Sequence, residues 1–374
     1  MHPNMILKNN STIHIENKIE QIIACIESIF DHQTIELVSI TCDGLGYNTP
    51  NFTTTAILHL HGLVQVNHEL KSWSLVLKII KPDTEEKDCL EHHNYWRREA
   101  LVLQSGVLQE LPHSINHAKC YLVEEQQDGT IWLWMEYVEG EFACTVEQFS
   151  YIARQLGRFN GAYLQGVNTL PEHEWICRAW LKSWTTASRH YAPNMESYVS
   201  GLSAESIQNT WTWYQELLND IDAYLDSLQQ LPRVLAHQDL SQLNMMLVNT
   251  ESSESRLVLI DWQFMSISGI GEDLGKLFGV NMSLGIIPPS QYQEFQDALF
   301  TSYIEGLRDM GWQGDARMAQ YGFFISTALR SVWEVPQFLQ IHSQLAEDPN
   351  NVTLRARFNQ LEHIIEVHKN ISPS

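Results

Sequence analysis

The sequence predicts an α+β chain in two parts: a sheet-rich first part of mostly antiparallel strands, and a largely helical second part. Three observations predict it. Residues 1–138 run strand, glycine turn, strand, strand, helix, strand, strand, which is the order of a mostly antiparallel sheet carrying one packed helix. The composition changes at Glu139-Gly-Glu141. Beyond that point long stretches repeat apolar residues at helical spacing. The division proposed is therefore 1–138, with a leading helix at 12–30, and 139–374.

Each element has its own signal. Ile15, Ile19, Ile22, Ile23, Ile26 and Ile29 recur every three or four residues and give residues 12–30 an amphipathic helix. Residues 35–41 form a short strand-like run, followed by the turn-rich stretch Cys42-Asp-Gly-Leu-Gly-Tyr-Asn-Thr-Pro50. Residues 52–63, rich in Thr and apolar residues, and 73–80 read as strands, and a polar loop at 82–88 leads into a helix over 89–105. Residues 121–125 and 130–138 flank Gln-Gln-Asp-Gly and predict a hairpin. Helices are expected at 146–163, 174–190, 203–228, 289–310, 316–339 and in the last ~25 residues. Between 234 and 264 the pattern breaks into short apolar runs, 234–236, 245–248 and 257–260, suited to small strands or loops that hold chemistry in place.

Composition excludes several classes of function. The 374 residues carry 45 Asp and Glu against 23 Lys and Arg, a net charge of −22. Neutralising a phosphate backbone needs clustered Lys and Arg, so nucleic acid is not expected as a partner. The acid is shared, with 18 acidic against 9 basic residues in 1–138 and 27 against 14 in 139–374. Such a balance leans mildly toward a cationic acceptor and equally suits a solubilising surface. No window approaches 18 apolar residues and Met1 to Asn10 lacks a signal-peptide pattern, so a cytoplasmic protein that does not span a membrane is predicted. Cys25, Cys42, Cys89, Cys120, Cys144 and Cys177 form no Cys-x-x-Cys pair and read as reduced, buried thiols.

The strongest chemical signal is His237-Gln-Asp239-Leu-Ser-Gln-Leu-Asn244, followed seventeen residues later by Leu-Ile-Asp261-Trp. With Trp after the second aspartate, this segment resembles the catalytic loop and metal-binding aspartate of the aminoglycoside phosphotransferase and choline kinase family, over roughly residues 35–340. The resemblance implies a bilobal protein-kinase-like fold, an ATP-binding first lobe and a second lobe with the catalytic loop and acceptor pocket. It implies Asp239 as base or acceptor-orienting group, Asn244 and Asp261 as Mg²⁺ ligands, and His237 as a structural support of the loop. Phosphoryl transfer needs a carboxylate near the acceptor proton and divalent ions on the phosphates, and Mg²⁺ prefers oxygen ligands. Gly271-Glu-Asp273-Leu-Gly-Lys276 resembles the family's second aspartate, which ties the loop down from the start of a helix; capping that helix would equally occupy Asp273.

The first part supplies matching elements for ATP. Gly44-Leu-Gly46-Tyr-Asn48 between two strands lets backbone amides approach phosphates, although a Gly-x-Gly also suits a plain hairpin turn. Lys78 lies in Ser-Leu-Val-Leu-Lys78-Ile-Ile, and a buried ammonium needs an anionic partner, for which Glu99 on the next helix is expected. Lys81 is the rival at the strand end, where solvation is easy. Trp134-Met-Glu-Tyr-Val-Glu-Gly140 resembles the segment that joins the lobes, with the backbone of Glu136 to Val138 on the adenine edge and Met135 behind the base; an edge strand is the other reading.

Asp273 follows Asp261 by a step of twelve residues, which leaves no room for a protein-kinase activation segment, and Gln238 stands where protein kinases carry Arg. Both features favour a small hydroxylated acceptor, among which aminoglycosides, macrolides, choline, homoserine and methylthioribose are in the family's range. A nucleotide-binding pseudokinase acting as an interaction module, and a protein kinase, are the alternatives. His59 and His61 share a strand face without a carboxylate at ligand spacing and read as structural, as do His92 and His93. Trp175, Trp180, Trp184, Trp211 and Trp213 recur at helical spacing, suited to core packing or to an aromatic acceptor pocket.

Overall fold

The computed structural model describes residues 6–11, 13–46, 53–249 and 255–371. Backbone contacts divide the chain into two compact units, one of residues 1–89, 94–109 and 117–139, the other of residues 90–93, 110–116 and 140–374.

In the first unit, β1 (Ile6–Asn9), α1 (Ile19–Ile29), β2 (Ile35–Gly44), β3 (Thr54–Val66), β4 (Glu69–Ile80), α2 (Arg98–Ser105), β6 (Cys120–Glu125) and β7 (Ile131–Glu136) are the main elements; the two-residue β5 (Asn116–His117), which lies between α2 and β6 in the chain, is not part of this unit's sheet. Six strands form one sheet in the order β1-β2-β3-β4-β7-β6. Its neighbours pair antiparallel except β1 and β2, which are parallel, so the sheet is mixed. The period of two along β4 buries Trp73, Leu75, Leu77 and Ile79 on one face, against α1 residues Ile22, Cys25 and Ile26. Lys78 points to the other face, opposite Ile57 of β3 and Leu133 of β7.

Two helical expectations shorten here. Over 12–30, a 3₁₀ turn at Glu16–Lys18 precedes α1, with Ile15 buried at its start; Thr12 lies outside the described residues. Over 89–105, only α2 is helical. The residues before it are held in turns, with Trp96 donating from its indole to Asp88 at 2.8 Å and from its backbone to Lys87 O at 3.0 Å. α2 stops at Gly106, whose φ of 81° only glycine adopts readily.

The second unit contains β8 (Glu141–Phe142), α3 (Val146–Leu164), α4 (Trp180–Tyr191), α5 (Glu196–Ser200), α6 (Glu205–Gln229), β9 (Arg233–Ala236), β10 (Met245–Asn249), β11 (Ser255–Leu259), β12 (Ser266–Gly269), α7 (Glu272–Ser283), α8 (Tyr292–Asp309), α9 (Ala316–Ala328), α10 (Ser331–Glu347) and α11 (Val352–Ile371). Thr145 and Gln148 start α3 with a reciprocal capping box. α3 and α8 touch backbone to backbone: a Cβ on Gly306 would lie 2.1 Å from Arg154 O. The core behind the small strands joins Trp180 and Leu181 of α4, Leu217, Ile221 and Leu225 of α6, and Ile325, Leu329 and Val332.

The helix expected from residue 174 starts only at Trp180. Cys177 O accepts from Ile267 N at 2.9 Å in a strand-like bridge, which removes that backbone from a helical ladder. The single helix expected over 316–339 is split at Leu329 and Arg330, where i to i+3 bonds tighten the chain. All six cysteines are free thiols, but Cys89 and Cys144 are exposed, which corrects the expectation of burial. Among the described residues no helix is long and apolar enough to cross a membrane.

The short strands position the loops that matter. β9 pairs with β12, and β10 pairs with β11 and β8. The segment 237–244 therefore leaves one strand pair and enters the other, and 260–265 connects them again.

Candidate functional site

His237 to Asn244 is pinned on several sides. The buried carboxylate of Asp273 accepts from His237 N at 2.8 Å and Gln238 N at 2.9 Å. These two bonds hold Gln238 in a left-handed conformation, φ 62°, which turns the chain sharply before Asp239. Burial pushes the Asp273 carboxyl up to about 6, against the pull of those two amides and of Lys276. The N-cap of α7 is Gly271, so Asp273 spends its side chain on the loop rather than on its own helix.

His237 is fully buried and both ring nitrogens are engaged. Nδ1 accepts from Asp239 N at 3.2 Å, so Nε2 carries the proton and donates to Ile260 O at 3.0 Å. Its ring stands edge-on to Trp262 with centroids 4.5 Å apart. Asn244 Nδ2 donates to the Asp239 carbonyl and to Asp239 Oδ2, each at 3.0 Å. Asn244 O accepts from Ile260 N at 3.1 Å, beside Asp261, whose φ of 61° is left-handed. The Asp239 side chain keeps 25 % exposure, and its Oδ1 lies 3.8 Å from Lys276 Nζ.

Two anchors escaped the sequence reading. Asn281 Oδ1 accepts from Gln242 N at 2.9 Å, and its Nδ2 donates to Leu240 O at 2.9 Å and Leu277 O at 2.7 Å. Asp273, Leu277 and Asn281 are spaced by four, so one stripe of α7 faces the loop, and that spacing was the available signal. Beneath lies a buried relay. Gly271 N donates to Tyr303 Oη at 3.2 Å, Tyr303 Oη to Asn160 Oδ1 at 2.7 Å, and Asn160 Nδ2 to Leu235 O at 3.0 Å. Glu272 Oε1 accepts from Gly269 N at 2.6 Å near Arg233, and burial raises its carboxyl to about 7.

The donor set suits a hard divalent cation. With Nδ2 committed to Asp239, the oxygen of Asn244 is the end of its amide left for a cation, and Asp261 offers a carboxylate. Among the described residues no group of three or more His, Cys, Asp or Glu is arranged to hold a metal. Two protein oxygens, completed by water and phosphate, are the usual complement for Mg²⁺.

In the first unit, Lys78 Nζ lies 2.7 Å from Glu99 Oε2, with side chains 4 % and 3 % exposed; the rival Lys81 is exposed. Gly44 ends β2, and a Cβ on Gly44 or Gly46 would meet nothing within 4 Å. Neither has a left-handed φ, so the described chain itself does not demand glycine at these positions. Asn48 lies outside the described residues, as does Phe52 at the expected start of β3. At Glu136 the N–H donates to Lys119 O at 2.8 Å and the carboxylate accepts from Lys119 N at 2.9 Å, so the amide is engaged within this unit. The backbone of Val138 forms no hydrogen bond among the described residues.

Other candidates resolve into packing. β2–β3 pairing brings Asp43 within 3.1 Å of His61 Nε2, a carboxylate the sequence reading did not place there, and His59 stacks on Tyr137 at 4.0 Å. His93 bonds Ser183 from backbone and ring, and it precedes α2 rather than starting a helix. Trp180 and Trp184 stack at 6.1 Å, Trp175 stacks on His173 and Trp211 tilts against Tyr214.

A mixed sheet unit, a helical unit, and a loop carrying His237, Asp239 and Asn244 ahead of Asp261 define a protein-kinase-like fold. The sequence profile of the phosphotransferase enzyme family matches residues 67–312, more than half of the chain, and the chain belongs to that family. Among solved structures it is similar to an amicoumacin kinase in complex with AMP-PNP, Ca²⁺ and Ami, at 15 % identity and TM-score 0.54 over 96 % of this chain and 98 % of that one. It is also similar to a choline kinase from Cryptosporidium parvum, at 13 % identity and TM-score 0.51 over 88 % and 89 %. At these identities the likeness speaks for the fold. No curated protein sequence matches the chain.

Proposed function

We propose that the chain is a cytoplasmic kinase that moves the γ-phosphate of ATP to a hydroxyl of a small molecule, with Asp239 as the base. The observation that carries this reading is the Asp239 carboxylate: one oxygen is held by Asn244, the other faces Lys276, and the side chain stays reachable. As the acceptor oxygen bonds to phosphorus, its proton passes to Asp239 and then to solvent. Asp273, Asn281 and His237 hold the loop so that this carboxylate is oriented before the acceptor arrives.

Mg²⁺, carried by Asn244 Oδ1 and Asp261, would supply charge neutralisation on the phosphates. In residues 1–138, Lys78, oriented by Glu99, serves the phosphates, and Gly44 and Gly46 leave space for them. Asn48 shares that phosphate loop. The backbone of Glu136 to Val138 meets the adenine edge, with Met135 behind the base. Residues 139–374 carry the catalytic loop and the acceptor.

The acceptor is small because the chain from Asp261 to Asp273 is filled by a 3₁₀ turn at Trp262–Phe264 and by β12, almost all of it buried. No length remains to bind a peptide. An aminoglycoside, an amino alcohol or a sugar is the starting panel.

The test is ADP release with ATP and Mg²⁺ across that panel, with thermal stabilisation by ATP·Mg²⁺ measured beside it. Asp239→Asn should lower turnover by about 10²- to 10⁴-fold while the stabilisation by ATP persists. Turnover at the wild-type rate in Asp239→Asn would falsify the assignment of the base. A chain that ATP·Mg²⁺ does not stabilise refutes the kinase reading as a whole.

A further inference from the structure

Lys276 has no chemical role in the readings above, yet its ammonium sits beside the proposed base. It lies on α7, three residues after Asp273, with its side chain only 12 % exposed. Nζ stands over the Trp180 ring at 5.1 Å from the centroid and near the Phe264 ring at 5.9 Å, and Trp184 stacks behind Trp180. Nζ forms no hydrogen bond among the described residues, and Asp239 Oδ1 at 3.8 Å is its ion-pair partner.

The surrounding charges are already engaged. Asp273 accepts two backbone amides, and Glu272 accepts Gly269 N beside Arg233. Arg330 pairs with Glu334 at 3.2 Å, and Glu334 also faces His368 at 3.6 Å. The cavity between Lys276, Trp180, Gln238 and Arg330 is about 10 Å³, room for a single water and too small for a ligand. The three N–H donors of Lys276 are therefore available on the Asp239 side.

Two consequences follow for an acceptor at Asp239. A cationic group next to the reacting hydroxyl would face the Lys276 ammonium in a poorly solvated place, where like charges repel strongly. The rings that would cage such a cation, Trp180 and Phe264, are filled by the chain's own lysine.

We propose, resting on the phosphotransferase reading, that Lys276 sets the charge class of the acceptor. The reacting hydroxyl belongs to a neutral or anionic, oxygen-rich molecule whose neighbouring oxygen accepts a hydrogen bond from Lys276, and amines are disfavoured. This runs against the lean toward an amine that net charge alone suggests.

The experiment compares myo-inositol, glucose, gluconate and glycerate with choline, ethanolamine and kanamycin, by ADP release and by calorimetric binding in the presence of ATP and Mg²⁺. Wild type should respond to the oxygen-rich group and prefer it over the amines. Lys276→Met should raise KM for the best oxygen-rich acceptor by roughly 10- to 100-fold, the loss of a hydrogen bond to a charged group, with a smaller change in kcat. It should also bind choline better than wild type does, because the repelling charge is gone. Lys276→Arg, which keeps the charge, should keep the preference.

Better use of an amine by wild type overturns the proposal. So does an equal response to both groups, including none to either. In those cases, persistent stabilisation by ATP·Mg²⁺ leaves the kinase reading standing, whereas absence of that stabilisation brings down both.

Discussion

The Lys78–Glu99 pair allows structure and function to be separated by measurement. At 2.7 Å, with side chains 4 % and 3 % exposed, the two charges attract by about 6 kcal/mol at an effective dielectric of 20. Removing each from water costs several kcal/mol, so the pair as a whole is close to neutral for stability. Breaking it from one side is not neutral, because one charge stays buried without its close counter-charge. Lys78→Met and Glu99→Leu should each destabilise the first unit by about 3–5 kcal/mol. The double variant should cost less than the sum by at least about 2 kcal/mol. Hydrogen exchange in peptides spanning residues 69–80 reads this unit without the other. Stabilisation by ATP·Mg²⁺ should be lost in all three variants, the double one included. Additivity within about 0.5 kcal/mol would refute the buried-pair argument, and a double variant that regains ATP binding would refute the phosphate role of Lys78.

Three further outcomes test other parts of the molecule. Burial lowers the Lys276 pKa from 10.5 to about 8, so the fold prefers the neutral amine: its stabilising contribution is complete above pH 10.5 and lost as pH falls through 8. Relative to Lys276→Met, wild type should gain about 3 kcal/mol between pH 8 and 10.5 in urea unfolding, and parallel curves would sink the argument. Asn281→Ala strips partners from Gln242 N and Leu240 O and should cost about 2–4 kcal/mol together with turnover; unchanged unfolding midpoint and kcat would show that the loop is held otherwise. Gly306→Leu places a side chain against Arg154 O and should separate α3 from α8, with a loss of at least about 3 kcal/mol by calorimetry; a wild-type melting temperature would contradict that close approach.

What could be read from the sequence was whatever is local. His237 to Asp261 lie within 25 residues of chain, so their spacing alone exposed the loop, and Lys78 was visible as one charge in an apolar strand. What could not be read depends on partners distant in sequence. β1 exists because β2 has a free edge to pair with, and four residues carry no period of their own. Residues 174–179 have helical composition, yet β12 claims the backbone of Cys177. At Glu136, strand pairing sets Lys119 O against the amide, a partner seventeen residues away that composition does not reveal. Lys276 was in plain view within the Gly271–Lys276 motif, but only the register of α7 against the loop shows that its ammonium reaches Asp239.

That register also explains how the proposed selectivity and the proposed catalysis would share one helix. Asp273, Leu277 and Asn281 form the stripe of α7 facing the loop, and the two polar members fix His237, Gln238, Leu240 and Gln242. Lys276 stands beside that stripe, turned toward Trp180, Phe264 and the Asp239 carboxylate. A change at 276 therefore alters the charge that the acceptor meets without removing a hydrogen bond from the loop. A change at 273 or 281 does the reverse, because it unfastens the proposed base while leaving the ammonium in place. Variants of the first kind should shift KM between acceptors of opposite charge, and variants of the second should lower kcat for all of them alike.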